Sequence, residues 1–121
     1  MKKWKPLFVK NSCVPRLLSK MAPINIGAIT IGFVVFCAGV PSERVRRHET
    51  IHFQQYLETL FIGFLLIYLW DYVRLRSKGK TGRDAYLLLR AEREAYHYDC
   101  DPDYLEQRKR YVWISKYKIG N

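Results

Sequence analysis

Hydrophobic positions change their spacing along the chain, and the changes divide it into elements. Across residues 24–37, "INIGAITIGFVVFC", apolar side chains fall at 29, 31, 33 and 35, and an earlier register at 24, 26 and 28 shifts at Gly27. Spacing of two in a run rich in Ile, Val and Thr predicts one or two β-strands with a turn or bulge at a glycine. The run is uncharged for 18 positions, from Ile24 to Pro41. A membrane span of roughly 20 residues is therefore a competing reading, and a buried helix another. After Pro41, Ser42 offers a helix cap and Glu43 an acid for the first turn. From there to about Arg76 only Gly63 interrupts helix-forming residues, which predicts one rod of about 35 residues, roughly 50 Å long. Its second half is apolar nearly all round, so it needs a cover of protein, of another copy, or of lipid.

"SKGKTGR", residues 77–83, is a loop by composition. Asp84 is expected to cap a second helix through about Asp99. "DCDPDYL" restarts the chain, with Asp101 as cap and Pro102 at the first helical position. A third helix, basic and aromatic, is expected from Asp103 to about Lys118. Residues 1–22, broken by Pro6 and Pro15, read as a basic irregular arm. The expected fold is α+β and mostly helical, a short strand or hairpin packed on a long helix and followed by two further helices. At 121 residues it forms a single domain, 1–121, with a core at 24–98 and a terminal helical segment at 101–121.

Charge widens the field of partners. The chain carries 21 Lys and Arg against 11 Asp and Glu, a net charge of +10. Such an excess suits an anionic partner or membrane surface, or simply a solvated basic face. No RNP, zinc-knuckle or basic-zipper pattern accompanies it, which removes the common nucleic-acid modules. Cys13, Cys37 and Cys100 are widely spaced and form no C-x-x-C pair, so neither a cysteine zinc site nor a disulfide framework is expected. Reduced thiols fit a cytosol-like compartment or a virion. The basic start "MKKWKPLFVK" is followed by Asn11 and Pro15 rather than by an apolar stretch, so no secretory signal is expected.

The chemistry is concentrated in "HETIH", residues 48–52. On a helix, His48 and His52 stand one turn apart on one face and can present ring nitrogens to a single metal ion. Glu49, one position round, then reaches a water in the open coordination position and can act as general base. Without a metal, the same residues would be surface groups and a half-buried histidine. A catalytic zinc site needs a third protein ligand. On a helical wheel of residues 84–99, Ala85, Leu88, Leu89, Ala95 and Tyr96 fall within about 60° of Glu92. Glu92 therefore stands in the middle of the apolar stripe, where a carboxylate requires a metal ion or a buried arginine. Glu94 falls on the opposite side with Arg83, Arg90, Arg93 and His97, a face expected to be in solvent. Gln55 lies near the histidine face, either lining a cleft or bonding to a neighbouring helix.

"HETIH" followed some forty residues later by "EREAY" resembles the zincin metallopeptidases of the gluzincin type. With "FQQ" directly after the motif, it is similar to small metallopeptidase domains of bacteria and their phages. The resemblance spans roughly residues 24–98. It implies one zinc ion per chain on His48, His52 and Glu92, with Glu49 as catalytic base. Tyr96 stands where several such families carry an aspartate, and is either a partner to a ligand histidine, a donor to the oxyanion, or a core aromatic. The function expected is zinc-dependent hydrolysis of peptide bonds in a protein or peptide substrate. The alternatives are a basic structural component of an oligomer or large assembly such as a phage particle, keeping the zincin-like fold without catalysis, and a membrane-associated protein using residues 56–75.

Overall fold

A computed structural model of the chain describes residues 5–19 and 27–117. Its sheet has three short strands, β1 (Leu7–Val9), β2 (Ala28–Ile31) and β3 (Val34–Cys37), in the order β1-β3-β2. β2 and β3 are the antiparallel pair expected from the period of two. The turn falls at Gly32, whose φ of +62° is open to glycine at little steric penalty. Residues 24–26, where the strand reading began, lie outside the described residues.

β1 pairs in parallel with β3, setting Leu7 against Val34 and Val9 against Phe36. A short helix, α1 (Val14–Ser19), follows it, with the Ser12 hydroxyl accepting from the Val14 amide. The irregular arm expected at 1–22 is thus a strand and a helix where it is described. Three residues are too few to show a period, and the pairing partner lies far along the chain.

Three expected helices are each broken in two. The long rod divides into α2 (Glu43–Glu58) and α3 (Ile62–Ser77), bent by 110°. Ser42 caps α2 as expected, its hydroxyl accepting from the Val45 amide. At the far end Leu60 and Phe61 both take positive φ, 56° and 65°, and the Phe61 amide donates back to the Tyr56 carbonyl. What offsets two left-handed residues is aromatic burial inside the bend. Tyr56 stacks on Phe64 at 4.0 Å, and Phe61 meets Phe33 of the hairpin tip at 4.7 Å. A straight rod would have left Phe64 in water.

The second helix is α4 (Gly82–Leu88) and α5 (Arg90–Tyr98), hinged at Leu89 with an extended ψ of 138°. Its cap is the Thr81 hydroxyl, which accepts from the Asp84 amide, so Asp84 is an acid in the first turn rather than the cap. The expected terminal helix is α6 (Tyr104–Gln107) and α7 (Val112–Lys116), separated at Tyr111 with φ of 63°; its end at Lys118 lies outside the described residues.

The core forms where α2, α3 and α5 meet. Ala91 and Ala95, both buried, let α5 approach α2 closely. Tyr56, Phe64, Ala91 and Trp113 make one cluster, and Ile51, Ala95 and Tyr104 another. Arg90 clamps Asp71 of α3 with two bonds of 2.9 Å, fixing α3 over the start of α5. The fold is α+β and mostly helical, with the α2–α5 seam at its centre.

The bend depends on close packing at its start. A Cβ on Gly63 would sit 2.9 Å from the Thr59 Cβ, an atom on the stem of that side chain that cannot swing away. Gly63→Ala is therefore expected to destabilise the chain by about 1–3 kcal/mol, read as a lower urea midpoint at unchanged m-value.

Candidate metal centre

α2 carries His48, Glu49 and His52 to the seam with α5, and α5 brings Glu92 to meet them. Glu92 is 4% exposed, and among the described residues no hydrogen bond or ion pair to arginine appears at its carboxylate. Its Oε1 lies 3.2 Å from His48 Nε2 and 3.1 Å from His52 Nε2. Its Oε2 accepts from the Tyr68 hydroxyl of α3 at 2.9 Å. The carboxylate in the apolar stripe is met by two histidines and a tyrosine hydroxyl rather than by an arginine.

The other nitrogen of each ring is occupied. His48 Nδ1 lies 3.0 Å from Asp99 Oδ2, and a carboxylate can only accept. His52 Nδ1 lies 2.8 Å from Gln55 Oε1, while the Gln55 amide nitrogen donates to the Ala91 carbonyl at 3.1 Å and to Glu94 at 2.9 Å. Both Nδ1 atoms are thereby donors, and both Nε2 atoms turn to the same oxygen. A neutral ring in that tautomer sets a lone pair against a carboxylate, so a cation is required between them, either a proton or a metal ion. In the metal-free chain the proton serves at His52. Burial alone would lower its pKa, but the Glu92 carboxylate in contact with it raises the value to about 10. Glu92 moves the other way: burial opposes its ionisation, and the charges of His52 and His48 outweigh burial and hold it well below the ordinary carboxylate range.

His48, Glu49 and His52 each offer a ligand atom within 4.8 Å of the others, a group able to hold a metal ion. Glu49 stands to one side of the histidine pair, its Oε2 3.9 Å from His48 Nε2. Thr30 of β2 reaches its Oε1 at 3.4 Å and its backbone carbonyl at 3.2 Å. Burial raises the Glu49 pKa, against the opposing pull of His52 and His48.

These groups open onto a cavity of about 1190 Å³, walled by β2, α2, α3 and the α4–α5 segment. Tyr96 is on its wall and 42% exposed, so it is no core aromatic. Its ring meets His48 edge-on at 4.5 Å, and its hydroxyl lies 3.0 Å from that of Tyr86. Support of the histidine rings by hydrogen bonding belongs to Asp99 and Gln55 instead. Gln55 is the interhelical bond, wholly buried, rather than a residue of the cleft.

Glu94 overturns the expectation of a solvent face. It is fully buried, bonded to Tyr104, to Gln55 and to Arg108, whose guanidinium also pairs with Glu58. The face opposite Glu92 is covered by the chain after residue 100, which a wheel of one helix cannot represent. His97 is exposed as expected. Asp99 went unread, although Glu92, Tyr96 and Asp99 follow one helix face at steps of four and three. Tyr68 gave no signal, because it reaches Glu92 only through the reversal at residues 59–61.

Comparison with known proteins leaves the assignment to the chain itself: no protein-family model matches it, and neither a curated protein nor a solved structure resembles it significantly.

Two outcomes are expected with cobalt(II) as a coloured probe ion. Entry of the ion displaces the His52 proton, so below the pKa of about 10 affinity should rise with pH, about tenfold per unit for each proton released. Asp99→Asn should weaken affinity by about 10–100-fold, seen by titrating the visible absorption; unchanged affinity would remove Asp99 from the centre.

Proposed function

We propose that the chain is a zinc-dependent peptide hydrolase whose metal ligands are His48, His52 and Glu92, one zinc ion per chain. The observation that carries this reading is the convergence of both Nε2 atoms on one Glu92 oxygen with a second buried carboxylate, Glu49, beside them. Ligands bound about 2.0–2.1 Å from a tetrahedral zinc ion lie roughly 3.3–3.4 Å from one another. The separations of 3.2 and 3.1 Å are close to that edge length, so the residues fit the ion with small movements. Two imidazoles and a carboxylate are also a donor set that zinc takes in hydrolases. When bound there, zinc supplies Lewis-acid polarisation of a carbonyl and a lower pKa for water.

The protein's own groups account for the rest of the reaction. Asp99 and Gln55 fix the ring orientations, and Tyr68 holds the Glu92 oxygen that the histidines leave free. Glu49 accepts the proton of the attacking water at a carboxylate oxygen and returns it to the peptide nitrogen as the C–N bond breaks. Its raised pKa suits both halves of that transfer, and Thr30 keeps it facing the cavity. Tyr86 and Tyr96 are held as protonated phenols, since burial raises both pKa values. Tyr96 is then a candidate donor to the oxygen that gains charge on the attacked carbonyl.

A cleft for extended peptide is also within the fold. Among the described residues β2 is an edge strand, since β3 pairs with one side of it only. Gly27, Ala28, Ile29 and Thr30 line the cavity beside Glu49. An extended segment can add to such an edge through main-chain bonds, which brings its carbonyls past the metal ligands. Peptide amides match that requirement better than small esters do.

Purified without chelator, the chain is expected to hold about one zinc ion per copy by elemental analysis, and Glu92→Ala to hold little or none. Glu49→Gln should keep its zinc while peptide cleavage falls by about 10²–10⁴-fold. A zinc-loaded wild type that cleaves no unfolded protein, or a Glu49→Gln that cleaves as well as wild type, would contradict the hydrolase reading.

A further inference from the structure

The outer face of α3 carries chemistry that the metal centre does not use. Ile62, Leu65, Leu66, Leu69, Trp70 and Val73 recur at helical spacing and all lie on the solvent side, from 55% exposed at Leu65 to 69% at Ile62. Leu60, just before the helix, is 84% exposed. Placed at about 100° per residue, these six helical positions fill one continuous face with no polar residue among them over three turns. A stripe of that size is more than the scattered exposed apolar residues of an ordinary surface.

Charge says what covers it. The single acid of α3, Asp71, is buried and paired with Arg90, so the exposed face offers no negative group. Where the apolar stripe ends the cations begin, with Arg74 and Arg76 exposed in the last turns, Lys80 and Arg83 exposed just beyond, and a net charge of +10 on the chain. Trp70 stands near that boundary, the place such a ring takes between hydrocarbon and headgroups. A second copy on the same face would cover the stripe but offer the cations no negative partner, since that face carries no exposed acid. An anionic bilayer satisfies both halves at once, acyl chains for the stripe and headgroups for the cations. Among the described residues no single helix is long and apolar enough to cross a membrane, and the 110° bend turns α3 away from α2.

We propose that α3 docks the protein flat on an anionic lipid surface through Leu60, Ile62, Leu66, Leu69, Trp70 and Val73, with Arg74 and Arg76 engaging the headgroups. Leu65 and Leu69 also line the cavity, so docking sets the mouth of the candidate centre beside the bilayer. The proposal stands apart from the hydrolase reading and holds whether or not the centre is catalytic.

The test is co-sedimentation of the full chain with phosphatidylcholine vesicles, with and without phosphatidylglycerol. Wild type is expected to bind the anionic vesicles and to bind the neutral ones at least about tenfold more weakly. Leu66→Glu/Trp70→Glu, at two exposed positions that do not line the cavity, should lose at least about tenfold in binding while keeping the wild-type circular dichroism spectrum. If that variant fails to fold, Leu66→Ser/Val73→Ser is expected to bind measurably less than wild type. Arg74→Glu/Arg76→Glu should remove most of the preference for anionic lipid. Wild type that binds neither vesicle would overturn the proposal, as would a folded stripe variant that binds as well as wild type. A wild-type dimer that the stripe substitutions dissolve, with no vesicle binding, would assign the face to a second copy instead.

Discussion

A carboxylate in the middle of an apolar helix stripe is the constraint around which this chain is organised. Left unpaired, an ionised group at that depth would oppose folding by several kcal/mol. Glu92 is answered from two other helices, by His48 and His52 of α2 and by Tyr68 of α3. Each of those groups is held in turn. Asp99 takes the free nitrogen of His48 and also binds Arg44 at 3.0 Å, while Gln55 takes that of His52. The reversal at Leu60 and Phe61 belongs to the same requirement, because it delivers both the Tyr68 hydroxyl and the aromatic wall of Phe64 to the site.

A second buried charge network lies behind the first. Arg108 sits between Glu58 and Glu94, with Trp113 donating to Glu58 at 3.1 Å. Gln55 joins the two networks, accepting from His52 Nδ1 with its amide oxygen and donating to Glu94 with its amide nitrogen. The segment after residue 100 therefore completes the support of the centre from the rear. It was expected as a separate terminal helix, and its broken form follows from this role: Tyr111 takes a left-handed turn so that Trp113 can enter the core.

Local pattern carried part of this into view. The strand pair, the shared face of His48 and His52 and the inward aim of Glu92 follow from periods of 2 and 3.6, the Ser42 cap follows from its side-chain oxygen, and all appear in the fold. What stayed hidden was tertiary. The breaks at Leu60, Leu89 and Tyr111 carry no glycine or proline, so nothing in composition marks them; packing makes them. Glu94 looked solvated because the wheel of one helix holds no information about what covers its far side. Asp99 is legible as a third residue on the Glu92 face, but its place at the helix end hides it, since an acid there reads equally well as a terminus.

The apolar face of α3 and the centre share Leu65 and Leu69, so the same reversal that closes one side of the cavity leaves the other side of the helix bare. Both the buried Glu92 and the hydrolase chemistry depend on how a metal ion is coordinated. X-ray absorption at the zinc edge of the zinc-loaded chain tests it directly. Two imidazole nitrogens are expected, with oxygen donors completing a four- or five-coordinate shell at about 2.0–2.1 Å. Sulfur scattering near about 2.3 Å, from Cys37 or Cys100, or a shell of oxygen alone, would contradict it.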